Sequence, residues 1–148
     1  MSPKRPPFYL LPLVAVPFTV LALCLASLAS HAAEGCAAVE VQNVQAQLGN
    51  LMVAAYLDEA SFGGKPVASL KLPAGETVMR FQLCGLSGEQ VALTLYQDLD
   101  SDGKMGRNLL GMPTEPWGAS GNPGMMGPTW GSARMLLNGQ ALLVRMSQ

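Results

Sequence analysis

From residue 38 onward, no apolar pattern in this chain runs long enough to build a packed helix. Runs of six or seven residues, at 38–44, 51–57, 67–72, 77–83, 91–97, 132–137 and 141–146, alternate with clusters of Gly, Pro, Asn and Asp. A stretch such as Leu-Met-Val-Ala-Ala-Tyr-Leu at 51–57 leaves no room for a full amphipathic helix. The better runs carry the two-residue period of a half-buried strand. Thr77, Met79, Phe81 and Leu83 fall on one side, against Val78, Arg80 and Gln82. Val91, Leu93 and Leu95 face inward beside Thr94 and Tyr96. Residues 59–64 have the composition of a single helical turn, and 86–89 that of a turn linking the two best strands. Asn138-Gly139 between the last two runs predicts a two-residue hairpin. Seven short strands at roughly regular spacing predict an all-β fold, an antiparallel seven-stranded sandwich.

The strands follow a leader. Lys4 and Arg5 precede an apolar run from Phe8 to Ala29, and Ser30-His31-Ala32 carries small residues at the spacing a signal peptidase reads. Cleavage after Ala32 leaves one domain, 33–148. The alternatives are an uncleaved membrane anchor, the chain's one contact with a membrane, and lipidation at Cys24 or Cys36, whose flanking residues match a lipid-attachment motif poorly. Loss of the leader removes Lys4, Arg5 and His31, so seven of the nine Lys and Arg face all ten Asp and Glu, a net charge of −3. That balance excludes nucleic acid as a partner. The lack of histidine excludes His-based catalysis and most zinc or copper(II) sites. Cys36 and Cys84 remain, an even pair in an exported chain. A bridge between them is expected to contribute about 4 kcal/mol through loop entropy; two unpaired buried thiols are the alternative.

One segment breaks the regular spacing. Residues 98–131 hold eight of the 16 glycines and four of the 11 prolines, a length and composition that mark a long functional loop. Within it Asp98, Asp100 and Asp102 occupy alternate positions and Gly103 follows, as in the first half of a calcium-binding loop. The backbone carbonyl of Lys104 is the next expected ligand. Leu109 stands where an EF-hand needs its bidentate carboxylate, so this is no EF-hand. Glu115 is the nearest later carboxylate, brought back by the turn at Gly111 and Pro113. Two carboxylates 5 Å apart repel by roughly 3 kcal/mol at an effective dielectric of 20, and a divalent cation reverses that sign. Oxygen donors without histidine point to calcium. The competing reading is a polar turn whose aspartates splay into solvent.

Other groupings in the loop carry weaker chemistry. Met105, Met112, Met125 and Met126 offer soft donors to copper(I). Trp117, with Gly118, Ser120 and Asn122, suits a sugar or peptide surface, or packs the loop onto the domain as Trp130 does. Asp98 with Glu115 has the composition of a small hydrolase pair.

The order Tyr96-Gln97-Asp98-x-Asp100-x-Asp102-Gly103-Lys104, then Gly111-Met112-Pro113-Thr114-Glu115, Gly118 and Ser120, resembles the bacterial family called domain of unknown function 2141. So do Gly49 to Tyr56 with Phe62, and Trp130 followed by Ala133. The resemblance covers about 39–146. It implies an exported transthyretin- or immunoglobulin-like sandwich, also akin to carboxypeptidase regulatory domains, with no assigned activity. The chain departs from the family pattern at Gly106, where an acidic residue is usual, at Ala119, where an aromatic is common, and at Gly121-Asn122-Pro123, where an asparagine pair is usual. The expectation is therefore an exported, non-catalytic domain, periplasmic or secreted. A calcium-stabilised aspartate loop presents its surface to an envelope protein or glycan.

Overall fold

The computed structural model describes residues 35–124 and 127–147. The leader expected at 1–32, with Cys24, lies outside the described residues, as do Met125 and Met126.

All seven expected strands form: β1 (Cys36–Gln42), β2 (Asn50–Tyr56), β3 (Ala68–Pro73), β4 (Val78–Cys84), β5 (Gln90–Asp98), β7 (Arg134–Leu136) and β8 (Leu142–Arg145). An eighth, β6 (Trp117–Ala119), lies inside the segment read as one long loop. A one-turn helix, α1 (Trp130–Ala133), opens the segment read as strand from residue 132. Thr129 and Ser132 exchange side-chain and backbone hydrogen bonds in a capping box, which starts that turn. Residues 59–64 make hydrogen-bonded turns, Phe62 N to Glu59 O and Gly64 N to Ser61 O, and no helix.

The fold is nearly all β, in two sheets of strand order β4-β1-β8 and β3-β2-β5-β6, with β7 also paired to β5. Every pairing is antiparallel except β1 with β8, which is parallel and corrects the all-antiparallel expectation. The last hairpin is a second correction. Asn138-Gly139 links β7, which pairs with β5, to β8, which pairs with β1, so the turn crosses between sheets. Strand β5 makes this possible by its length. Its 90–92 end takes β7 and its 94–96 segment takes β6 on the edge opposite β2.

Alternation along the strands sends one face of each sheet into a shared core. Val39, Val41, Leu83, Leu142 and Val144 come from the first sheet, and Leu51, Val53, Leu93 and Leu95 from the second. Each such side chain contributes roughly 1.5–3 kcal/mol by leaving water. The other face of β5 carries a smaller cluster, Ala92 with Ala119 and Ala133, under Phe62 and Trp130. Phe62 stacks edge-on between Tyr56 and Trp130, at centroid distances of 5.3 and 6.2 Å. Cys36 and Cys84 face each other across β1 and β4 and form a disulfide. Among the described residues, no helix is long and apolar enough to cross a membrane.

Candidate metal centre

The aspartate loop leaves the end of β5, and its root is fixed before the loop begins. Gln97 has no exposure, yet each of its polar atoms is satisfied. Its Nε2 donates to the carbonyls of Gln45 (2.7 Å) and Leu48 (2.6 Å), and its Oε1 accepts from Gln45 N (2.9 Å). This clamp holds 45–48 against β5. The next residue, Gly49, has φ +59°, and a Cβ there would collide with the Asp98 carbonyl oxygen. Only glycine lets the chain pass so close to the start of the loop.

Asp98 ends β5 with no exposed surface. Its Oδ2 accepts from Gly103 N at 3.1 Å, drawing the loop back on itself. Two more aspartates shape the interior: Asp100 Oδ1 accepts from Asp102 N (3.1 Å), and Asp102 Oδ1 accepts from Lys104 N (2.7 Å). Ser101 at φ +65° and Gly103 at φ +77° supply the left-handed backbone these turns need. Tyr96 donates its hydroxyl to Gly103 O (2.9 Å), and Asn50 donates to Ser101 Oγ (3.3 Å). Burial, and then the charges of Asp98, Glu115 and Asp102, push the Tyr96 hydroxyl above its ordinary pKa, which keeps it a donor.

These bonds bring the three carboxylates together. One oxygen from each of Asp98, Asp100 and Asp102 lies within 4.8 Å of the others, the first buried and the other two exposed. Asp98 Oδ1 is buried and has no hydrogen-bond partner, and among the described residues no other buried side-chain oxygen or nitrogen lacks one. A buried carboxylate oxygen with nothing to accept from is costly, and a cation is what would offset it.

Glu115, the later carboxylate of the expected ligand set, bonds to the backbone of the turn. Its Oε1 accepts from Leu99 N (2.7 Å) and its Oε2 from Gly106 N (2.8 Å). One carboxylate thus ties both ends of the 99–106 turn, outside the convergent trio. Lys104 enters the site through its N–H, bonded to Asp102. Beyond Gly106 the chain forms a second turn, closed by a bridge between Arg107 and Pro113 and containing Gly111 at φ +78°. Trp117 is half-buried in β6 and Trp130 half-buried over Phe62, so both tryptophans sit against the sheet. Of the methionines, Met105 is half-buried and Met112 exposed. Sequence reasoning missed Gln97, Gly49 and Tyr96 as the supports of this site. The available signal was their place in the segments that carry the family resemblance, which names no role for them.

The profile of domain of unknown function 2141 (DUF2141), described as an uncharacterized protein conserved in bacteria, matches residues 39–144. The chain belongs to this family. No curated protein and no solved structure matches it. The surroundings of Gly106, Ala119 and Gly121 in this DUF2141 chain differ. A Cβ at Gly106 would stand 2.7 Å from Thr114 Oγ1, so a side chain here requires that hydroxyl to turn away. Ala119 is buried in the small cluster with Ala92 and Ala133, under Trp130. Gly121 has φ +70°, and a Cβ there would collide with Ser132 O.

Proposed function

We propose that this DUF2141 protein is an exported, non-catalytic β-sandwich of the transthyretin-like kind. In this reading a calcium ion on Asp98, Asp100 and Asp102 stiffens the 98–116 loop, and the loop presents a binding surface in the cell envelope. The observation that carries the reading is the orphaned, fully buried Asp98 Oδ1 on a cluster of three carboxylates. An all-oxygen donor set suits calcium better than zinc or copper. Glu115 supports the ion by clasping the turn, and the Lys104 carbonyl and water supply the remaining oxygens. The non-catalytic half of the reading draws on the same geometry. Both oxygens of Glu115 are engaged by backbone N–H groups, which supports a structural role for that carboxylate. The disulfide is the support for an oxidising compartment outside the cytoplasm.

Calcium titration by calorimetry, with thermal unfolding in calcium and in chelator, tests the reading. A single site saturated a hundredfold above its Kd stabilises by about 2.7 kcal/mol, a rise in Tm of roughly 10 °C. Asp100→Asn should abolish most of that rise. A titration without heat, together with a Tm unchanged by chelator, sinks the proposal.

A further inference from the structure

The second turn of the loop, 107–113, exposes what a soluble surface normally hides. Leu109 is 106% exposed, Leu110 84% and Met112 60%. Exposed leucines scattered singly need no explanation, but three apolar side chains at one apex do. The apex is also built to hold its shape. Asn108 Oδ1 accepts from both Leu110 N and Met112 N at 3.0 Å. Asn108 N donates to Met112 O and Gly111 N to Asn108 O, each at 2.9 Å. Arg107 Nη1 donates to Gly111 O at 2.8 Å, and Thr114 N to Gly106 O at 2.9 Å closes the base. A turn fixed this way before binding loses little conformational freedom on binding.

The shape and charge of the apex select its occupant. It is convex, with leucines projecting from a narrow turn, so it inserts and does not receive. The Arg107 guanidinium is exposed and bonded to the same turn at Gly111 O, a cation beside the apolar tip that a phosphate headgroup can meet. The surrounding charge opposes an anionic surface as the chain stands. Residues 98–115 carry four carboxylates against Lys104 and Arg107, a net charge of −2. One divalent ion on the three aspartates cancels that charge.

We infer that the 107–113 apex is a membrane-docking tip: Leu109, Leu110 and Met112 enter the interface of an anionic phospholipid layer, and calcium at Asp98, Asp100 and Asp102 switches the approach from repelled to permitted. The inference rests on the cation reading above. It adds a partner of stated chemistry, an acidic lipid surface, and a reason for the ion to sit beside an apolar turn. A concave apolar site on a protein, including a second copy of this chain, is the competing occupant.

The test uses the full chain, so that the apolar leader segment 8–29 is common to every arm. The variant L110W reports position 110 against wild type through quenching by dibrominated phosphatidylcholine in vesicles holding one quarter phosphatidylglycerol. Extra quenching of L110W in calcium, reversed by chelator, is the expected result. Vesicles without phosphatidylglycerol should lower the affinity at least tenfold. Leu109→Asp in the L110W chain should remove the calcium-dependent quenching, about a tenfold or greater loss of partition. The Leu109 side chain is fully exposed, so that change leaves folding intact. Quenching of L110W equal to wild type in calcium overturns the inference, and calorimetric calcium binding in the same sample would show that the cation reading itself survives. Quenching that persists in chelator overturns the calcium switch. A dimer that dissociates on Leu109→Asp overturns the lipid and assigns the apex to a second copy.

Discussion

The 34 residues that look like one loop in the sequence are two regions held by different forces. In 98–116 nearly every tie is polar, a carboxylate or amide accepting from backbone N–H, and Leu99, Leu109, Leu110 and Met112 are exposed. Among the described residues of 117–131 the ties are burial and close approach. Gly118 lies where a Cβ would meet Arg145 O at 2.7 Å and Val144 Cγ1 at 3.0 Å. Ser120 has no exposure, donates to Ala133 O (2.5 Å) and accepts from Leu93 N (2.8 Å). The lesson is a division of labour. The second half belongs to the permanent body of the fold. The first is a polar frame that carries four carboxylates against Lys104 and Arg107.

The largest break of this comparison should come in the packed half. Trp130→Ala removes the ring over Phe62 and uncovers Ala92 and Ala133. It should cost about 3 kcal/mol, by the same amount in calcium and in chelator. Urea unfolding in both conditions measures it, and a calcium-dependent cost would show that the halves are coupled. The next effect lies in the polar half. Glu115→Ala frees the N–H groups of Leu99 and Gly106 at once, and hydrogen bonds to a charged acceptor contribute about 1.5–3 kcal/mol each. Since both groups lie near the surface and regain water, a loss near 2 kcal/mol is expected. The fall in calcium affinity should exceed the fall in stability, because the clasp sets the turn before the ion arrives.

The same division explains which parts of the molecule were legible in the sequence. The period of two along 77–83 and 91–97 placed β4 and β5 to within a residue or two, because a half-buried strand writes its faces directly into the chain. Strand β6 left no such trace. Trp-Gly-Ala is three residues with a glycine in the middle, and its strand geometry comes from the β5 edge and not from its own preference. Asn138-Gly139 gave a correct turn and a wrong pairing, since a turn signal fixes local geometry and the partner edge is decided by β5 and β1. At the site, the aspartate spacing foretold convergence. The Glu115 clasp was beyond reach, because which backbone N–H groups stand near a carboxylate 16 residues on is a property of the folded loop.

A sharper probe of the polar half is a change of sign. Asp98→Asn keeps the shape, keeps an acceptor for Gly103 N if the amide oxygen takes the Oδ2 place, and removes a buried charge whose other oxygen has no partner. In chelator the variant should equal or exceed wild type, by up to about 1 kcal/mol. In calcium it should be the less stable of the two, since the stabilisation by the ion is lost. Thermal unfolding of both proteins with and without chelator gives four values, and the order should invert between conditions. Parallel shifts would mean that Asp98 is a structural cap and nothing more.

The smallest effect belongs outside both halves and serves as their control. Glu40 and Arg80 are directly opposed on β1 and β4, with Arg80 Nε on Glu40 Oε2 at 2.9 Å, the arginine exposed and the glutamate half-buried. The hydrogen bond from Gln42, then that from Arg80, holds the Glu40 carboxyl below its ordinary pKa. A lowered folded-state pKa means that this contribution is present above the unfolded-state value and fades as pH falls through the folded one. Solvent screening leaves it small. Arg80→Gln should therefore lower the neutral-pH Tm only slightly, the difference from wild type should close as pH falls through the Glu40 titration, and calcium should leave that difference unchanged. If calcium changed the size of this variant's difference from wild type, the ion would be acting on the protein's overall charge and not at the three aspartates alone, and the contrast between the two halves of 98–131 would lose its cause.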